Sequence, residues 1–245
     1  MKFSYSAIWD DTVRLLRENA AVILALAGVF LFLPALLVGH FLPQPDVEPD
    51  RLFEALQTYF MDNINWLVIA NMVNMTGSIA MLLLLLDGRG RTVGAAIVAA
   101  IPILLWYFIG AFLSTLIVLA GFIAFIIPGI YLFGRLSVLG PVMVAEERNP
   151  LRAIKRSFAL TKAKGWAVVG LILLVALAGL ILSFVVSAVL GSVFLIALGE
   201  RIGGLLAVVL NALTSAAFST VLIVLYAAIY RHLTAANAPQ PIKGS

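Results

Sequence analysis

The sequence predicts an all-α, polytopic membrane protein, and three observations predict it. Of 245 residues, 63% are apolar and only 11% charged, with a mean hydropathy of +1.11. A soluble domain carries about 25% charged residues, so this chain has too few to coat a water-facing surface. Apolar stretches longer than about 18 residues recur along its length, enough to span a bilayer repeatedly. Lys and Arg are also concentrated in alternate inter-span segments, the asymmetry by which membrane topology is set.

Residues 6–19 are expected to form an amphipathic interfacial helix and not a cleavable signal. Ile8, Trp9, Thr12, Val13, Leu15 and Leu16 share one arc, and Asp10, Asp11, Arg14, Arg17 and Glu18 the other. Asp10/Arg14 and Arg14/Glu18 have the spacing of i,i+4 pairs. A first span covers about 20–42, kinked by Pro34. Residues 43–50 (PQPDVEPD) form a solvated loop, after which Asp50 caps a short amphipathic helix carrying Leu52, Phe53, Leu56, Tyr59 and Phe60. The second span, about 64–86, stops at the turn 87–91 (DGRGR).

Between Thr92 and Ala145 the one charge is Arg135. As a single helix that stretch measures roughly 80 Å against a hydrocarbon core of about 30 Å, so it must fold back. The break is expected at Gly121–Gly129, where Pro128-Gly129 removes a donor and loosens the backbone. This gives spans three (94–120) and four (128–144). A basic cytoplasmic helix at 150–164 follows, then span five (166–190), a turn at 199–203 and span six (204–230). Residues 237–245 read as a disordered tail.

An even number of crossings puts both termini on one side. The termini, the 87–91 turn and the 146–165 segment hold 13 Lys/Arg, whereas the opposite loops hold Arg51 and Arg201. The expectation is a bacterial inner membrane with both termini cytoplasmic.

Three groups of residues stand out. If span four runs unbroken to Glu146, Arg135 lies about 16 Å deep, where an Arg costs on the order of 2.5–3.5 kcal/mol. No predicted span supplies an acid for it, so carbonyls, amides, water or a ligand anion must do so. Asn71, Asn74 and Ser78 have the helical spacing to reach a similar depth. The structural alternative is that carbonyls freed at the 128–129 break satisfy Arg135, or that span four starts deeper and Arg135 snorkels. In the second group, Asn149 caps and Pro150 opens a helix in which Leu151, Ile154 and Phe158 form a stripe flanked by Arg152, Lys155, Arg156 and Lys162. Such a helix attracts anionic headgroups by about 1 kcal/mol per basic residue, or serves only as a topology signal. Third, Gly203, Ala207, Asn211, Ser215 and Ser219 recur every four residues, a ridge suited to helix packing or to a homo-oligomer face.

No phosphate-binding loop, paired-carboxylate site or HExxH motif is present, and no cysteine. With His40 and His232 so far apart, no metal or other cofactor is expected. The basic residues follow topology, so nucleic acid is not an expected partner.

Pro128-Gly129, Arg135-Leu136, Pro141-Val142, Glu146, Ala153, Arg156-Ser157, Leu160-Thr161-Lys162 and Trp166 together resemble a known pattern. It is similar to the membrane domain found ahead of bacterial glycerophosphoryl diester phosphodiesterases, and to the related YciC-like inner-membrane family. The resemblance covers about 40 residues, with the six-span layout agreeing over the rest. It implies a bacterial inner membrane and envelope or lipid physiology. It does not carry over the phosphodiesterase reaction, which belongs to a separate soluble barrel. The combined expectation is a non-enzymatic protein that engages anionic lipid or a lipid-derived phosphate through Arg135, Arg152, Lys155 and Arg156. A small-anion transporter lined by Arg135, Asn71 and Asn74, and an assembly partner of other membrane proteins, are the alternatives.

Overall fold

The computed structural model describes residues 3–42, 49–87, 90–162 and 164–237. Among them every regular element is helical, and five helices are long and apolar enough to cross a membrane. The predicted turn residues 88–89, most of the 43–50 loop and the tail beyond Asn237 lie outside the described residues.

Helix α1, Tyr5–Glu18, starts where the Ser4 side chain accepts from the Ala7 amide. It buries Ile8, Thr12 and Leu15, while Trp9 from the expected apolar arc is exposed. Arg14 pairs with Asp11 instead of the expected Asp10, because Asp11 also faces Arg231 at 3.8 Å and sits between two guanidinium groups. The first long helix, Ala20–Phe41, comprises α2 (Ala20–Ala27), a π-turn (Gly28–Phe32) and α3 (Leu33–Phe41). The Leu33 amide donates to Gly28, five residues back. That wider turn accommodates Pro34, whose ring would otherwise meet the carbonyl of Phe30, so the irregularity precedes the proline.

Helix α4 runs unbroken from Leu52 to Leu86, so the expected short helix and second span are one element. No Gly or Pro separates them, and the Asn63 side chain bonds the Tyr59 carbonyl at 2.9 Å without interrupting the helix. Helix α5, Val93–Ala124, begins at the Thr92 cap and ends four residues beyond the expected span. The fold-back occurs at Phe125 alone, which is extended (φ −166°, ψ 158°), and α6 (Ile126–Leu136) starts at once. Pro128 and Gly129 therefore sit in the first turn of α6 and not in the break. A missing N–H costs nothing there, because first-turn amides have no helical partner. Gly129 is needed for closeness: a Cβ on it would lie 2.4 Å from Phe122.

The predicted fourth span is also two pieces. Helix α6 stops at Leu136, the chain turns at 137–138, and α7 covers Leu139–Ala145. Helix α8 spans Pro150–Thr161, shorter than expected, and α9 runs from Gly165 to Asn237. The two last predicted spans lie within α9, separated at Gly199, whose positive φ (72°) only glycine tolerates readily. The expected turn at 199–203 narrows to that one residue.

By contacts the chain divides into two compact units, Met1–Ala20, Ile79–Ala176 and Val221–Ser245 in one, Ala21–Ser78 and Leu177–Thr220 in the other. The first has a core of Ile8, Ile79, Met81, Val138, Val142, Met143, Val168, Ile172, Leu225 and Ile229, all under 2% exposed. In the second, Gly77 receives Phe30 and Gly179 receives Phe218, each glycine leaving space that a Cβ would fill.

Candidate functional site

Of the 12 residues of α8, 11 place their side chains in two unlike sets, with Phe158 half-buried between them. Pro150, Ala153, Ile154, Ser157, Leu160 and Thr161 are buried against the first unit. Leu151 (62% exposed), Arg152, Lys155, Arg156 and Ala159 point outward. The protein-facing stripe is therefore rotated from the Leu151/Ile154/Phe158 stripe read from sequence, and only Ile154 belongs fully to both. The Asn149 side chain accepts from the Leu151 and Arg152 amides at 3.1 and 3.3 Å, so the start of the helix is capped as expected.

Arg135, at the end of α6, is the joint that holds α8. Its Nε donates to Thr161 Oγ1 at 2.9 Å, its Nη1 to the Tyr131 hydroxyl at 3.1 Å, and its Nη2 to the Phe158 carbonyl. Ser157 Oγ in turn donates to the Arg135 carbonyl at 2.7 Å, and Thr161 Oγ1 donates to the Ser157 carbonyl at 2.7 Å. The guanidinium lies 5.0 Å from the Phe158 ring centre and 5.5 Å from that of Tyr131, within cation–π range. Tyr131 also packs on Trp166, their ring centres 5.0 Å apart. No described carboxylate pairs with Arg135.

Of the sources anticipated for Arg135 a backbone carbonyl is used, that of Phe158, and side-chain hydroxyls supply the rest. Its acceptors come from α8 and from one turn earlier on α6, not from the 128–129 break. The depth inferred from sequence presumed one straight helix to Glu146, and the turn at 137–138 removes that premise. Three of five N–H donors are committed to protein, leaving two.

Gly165 makes the joint possible. A Cβ there would stand 2.9 Å from both Arg135 Cδ and Tyr131 Cε2, and one on Gly134 would stand 2.2 Å from Val169 Cγ2. The start of α9 can thus lie directly against α6.

A second tie fixes the other edge of α8. Arg156 forms a bidentate pair with Glu146, Nε to Oε2 at 2.6 Å and Nη2 to Oε1 at 3.3 Å. The Tyr230 hydroxyl donates to the same carboxylate at 2.7 Å. Partial burial pushes the Glu146 carboxyl up, but the Arg156 guanidinium and the Tyr230 hydroxyl outweigh it and hold the group below its ordinary range. Its carboxylate raises Arg156 in return. Glu147 lies 3.7 Å from Arg152.

Of the residues singled out from sequence, Arg135, Arg152, Lys155 and Arg156 are thus gathered on or under one helix. Asn71 and Asn74 belong to the second unit, Asn71 exposed and Asn74 half-buried. On the α9 ridge, Gly203 is buried, where a Cβ would lie 2.3 Å from the Phe194 carbonyl oxygen, and Ala207 and Ser219 are half-buried. Asn211 and Ser215 are exposed and joined to each other, Ser215 Oγ donating to Asn211 Oδ1 at 3.3 Å. The residues that pack are their neighbours Ala212, Ala216 and Thr220.

Sequence reasoning missed Tyr131, Ser157, Thr161, Gly165 and Tyr230 as partners. A signal existed for two pairs: Tyr131/Arg135 and Ser157/Thr161 each have i,i+4 spacing, and both hydroxyl residues stand on an otherwise basic helix. Comparison with family models, with curated proteins and with solved structures finds no match to this chain.

Proposed function

We propose that this protein is a non-enzymatic component of a bacterial inner membrane that docks anionic phospholipid, or a lipid-derived phosphate, on the outer face of α8. One observation carries the reading: one side of the helix is tied down by Arg135, Ser157, Thr161 and the Glu146–Arg156–Tyr230 cluster, while Leu151, Arg152 and Lys155 are left outward on the other. A fixed basic helix with an exposed leucine suits an interface where the apolar side chain enters the acyl boundary and the cations meet phosphates. Arg135 acts in this reading as the positioning residue that holds α8 in place.

The proposed topology keeps six crossings and cytoplasmic termini, supported by the Lys/Arg asymmetry and by Gly199, which divides α9 into two arms each more than 30 residues long. Membership of the glycerophosphodiesterase membrane-domain or YciC-like family stays part of the proposal. Its support is that Arg135, Glu146, Arg156-Ser157, Thr161 and Trp166, which carry the resemblance, are the residues that build the joint.

The test compares nanodiscs of phosphatidylglycerol and phosphatidylcholine by native mass spectrometry of the lipids retained. Wild type retains phosphatidylglycerol preferentially. Lys155→Gln with Arg152→Gln lowers that preference by about 30-fold, at about 1 kcal/mol per charge removed. Equal retention of both lipids by wild type overturns the proposal.

A second reading, an assembly partner, is favoured by the exposed Asn211–Ser215 pair on a membrane-crossing arm. Asn211 hydrogen-bonding to a neighbouring helix would satisfy an amide that lipid cannot. It is tested by whether Asn211→Leu dissociates a complex in mild detergent.

A further inference from the structure

Arg135 holds α8 with three of its five N–H groups, and every acceptor they meet is uncharged: two side-chain hydroxyls and the Phe158 carbonyl. One N–H remains on each terminal nitrogen. Arg91, the other half-buried arginine among the described residues, faces the Asp87 carboxylate, whereas no described carboxylate answers Arg135. A partly desolvated charge without a counter-charge calls for an anion.

The groups around the guanidinium are alike in kind. The Tyr131 hydroxyl accepts from Arg135, and its own O–H donates to nothing among the described residues. Trp166, whose ring centre lies 5.0 Å from that of Tyr131, is 58% exposed, and its indole N–H is equally unspent. Lys162 comes one turn after Phe158, whose ring lies 5.0 Å from the guanidinium. It is exposed, and its ammonium has no described hydrogen-bond or ion-pair partner. The unspent groups are therefore all donors, two of them cationic.

We propose that this donor cluster binds a phosphate monoester. Such a group carries a charge of about −1.5 to −2 at pH 7 and three acceptor oxygens. Arg135 and Lys162 match the charge, and the Tyr131 hydroxyl adds a donor for a further oxygen. The inference goes beyond lipid docking by the outer face of α8. It uses none of Leu151, Arg152 and Lys155, and it asks for a doubly charged group where that face takes any anionic headgroup. The positioning and binding roles of Arg135 draw on different N–H groups, so both hold at once. The same chemistry is offered by phosphatidate in the bilayer and by a soluble phosphate monoester.

The experiment uses the full chain in nanodiscs and reads lipid retention by native mass spectrometry. The probes are phosphatidate, phosphatidylglycerol, whose phosphate is a singly charged diester, and phosphatidylcholine. Calorimetry with glycerol 3-phosphate forms the soluble arm. Wild type is expected to hold phosphatidate over phosphatidylglycerol by about tenfold, the worth of one charge-assisted hydrogen bond. Lys162→Gln, which touches no bond of the joint, and Tyr131→Phe, which keeps the ring packing, each remove most of that preference. Arg152→Gln with Lys155→Gln leaves it in place, so the two sites fail or stand separately. Retention of phosphatidate identifies a headgroup site, and binding of glycerol 3-phosphate alone identifies a soluble ligand. Equal retention of phosphatidate and phosphatidylglycerol with no binding of glycerol 3-phosphate overturns the proposal. Full wild-type selectivity in both Lys162→Gln and Tyr131→Phe overturns it as well.

Discussion

Replacing Arg135 by Gln separates a positioning role from a ligand role for the same side chain. The substitution removes the bonds to Thr161 Oγ1 (2.9 Å), the Tyr131 hydroxyl (3.1 Å) and the Phe158 carbonyl. Hydrogen bonds to a charged group contribute about 1.5–3 kcal/mol each, but the three are not additive, and Gln recovers part of one. A net loss of about 2–4 kcal/mol in the attachment of α8 is therefore expected. Its readout is hydrogen–deuterium exchange of the α8 amides in nanodiscs. At about 1.4 kcal/mol per factor of ten, exchange should rise roughly 30- to 900-fold in 151–161 and much less in the second unit. Thr161→Val provides the cycle: its effect should shrink in the Arg135→Gln background, because the two share a bond. Unchanged protection of α8 in Arg135→Gln, with both effects simply adding, would refute the joint.

The glycines give a steric counterpart. Gly165→Ala forces a Cβ to 2.9 Å from Arg135 Cδ and should cost about 1–3 kcal/mol in detergent stability. Gly134→Ala should cost more, since it meets Val169 at 2.2 Å and the Val169 backbone at 3.1 Å; equal, wild-type melting of both variants contradicts that packing. The Glu146 tie predicts a pH dependence. Because the folded carboxyl is depressed, its stabilisation is fully present above the ordinary carboxylate value and is lost as pH falls through the lower folded value. Wild type should lose melting temperature in that acid window and Glu146→Gln should lose less; parallel curves would count against the tie.

Local signals in the sequence were legible and distant ones were not. The cap at Asn149, the proline start of α8 and the interruption at Gly199 each rest on one or two residues whose preferences act on the spot. The fold-back at Phe125 falls within the expected 121–129 window, but not at the Pro128-Gly129 pair that marked it. Pro128-Gly129 is a loop signal in isolation, yet here the proline suits a first helical turn and Gly129 is required by the Phe122 ring. The Asp50 segment was separated from the second span by its change of periodicity, which does not itself break a helix.

Composition carried the membrane class, because bulk apolarity is a property of the whole chain. The partners of Arg135 were illegible for a different reason. Phe158 and Thr161 stand 23 and 26 positions away, and Tyr230 stands 84 from Glu146. Such bonds depend on how α8 is seated, and its seating face differs from the stripe its own periodicity suggests. Leu151 illustrates this: apolar at the right spacing, it nevertheless faces away from the protein.

The most direct test of lipid docking by α8 uses the absence of native cysteine. A single Leu151→Cys, labelled with an environment-sensitive fluorophore, reports where the outer face of the helix sits. In phosphatidylglycerol nanodiscs the account predicts blue-shifted emission quenched by lipids spin-labelled near the headgroup, weakening with added salt or with Lys155→Gln. Water-like emission, insensitive to lipid charge and to spin-labelled lipid, would contradict it.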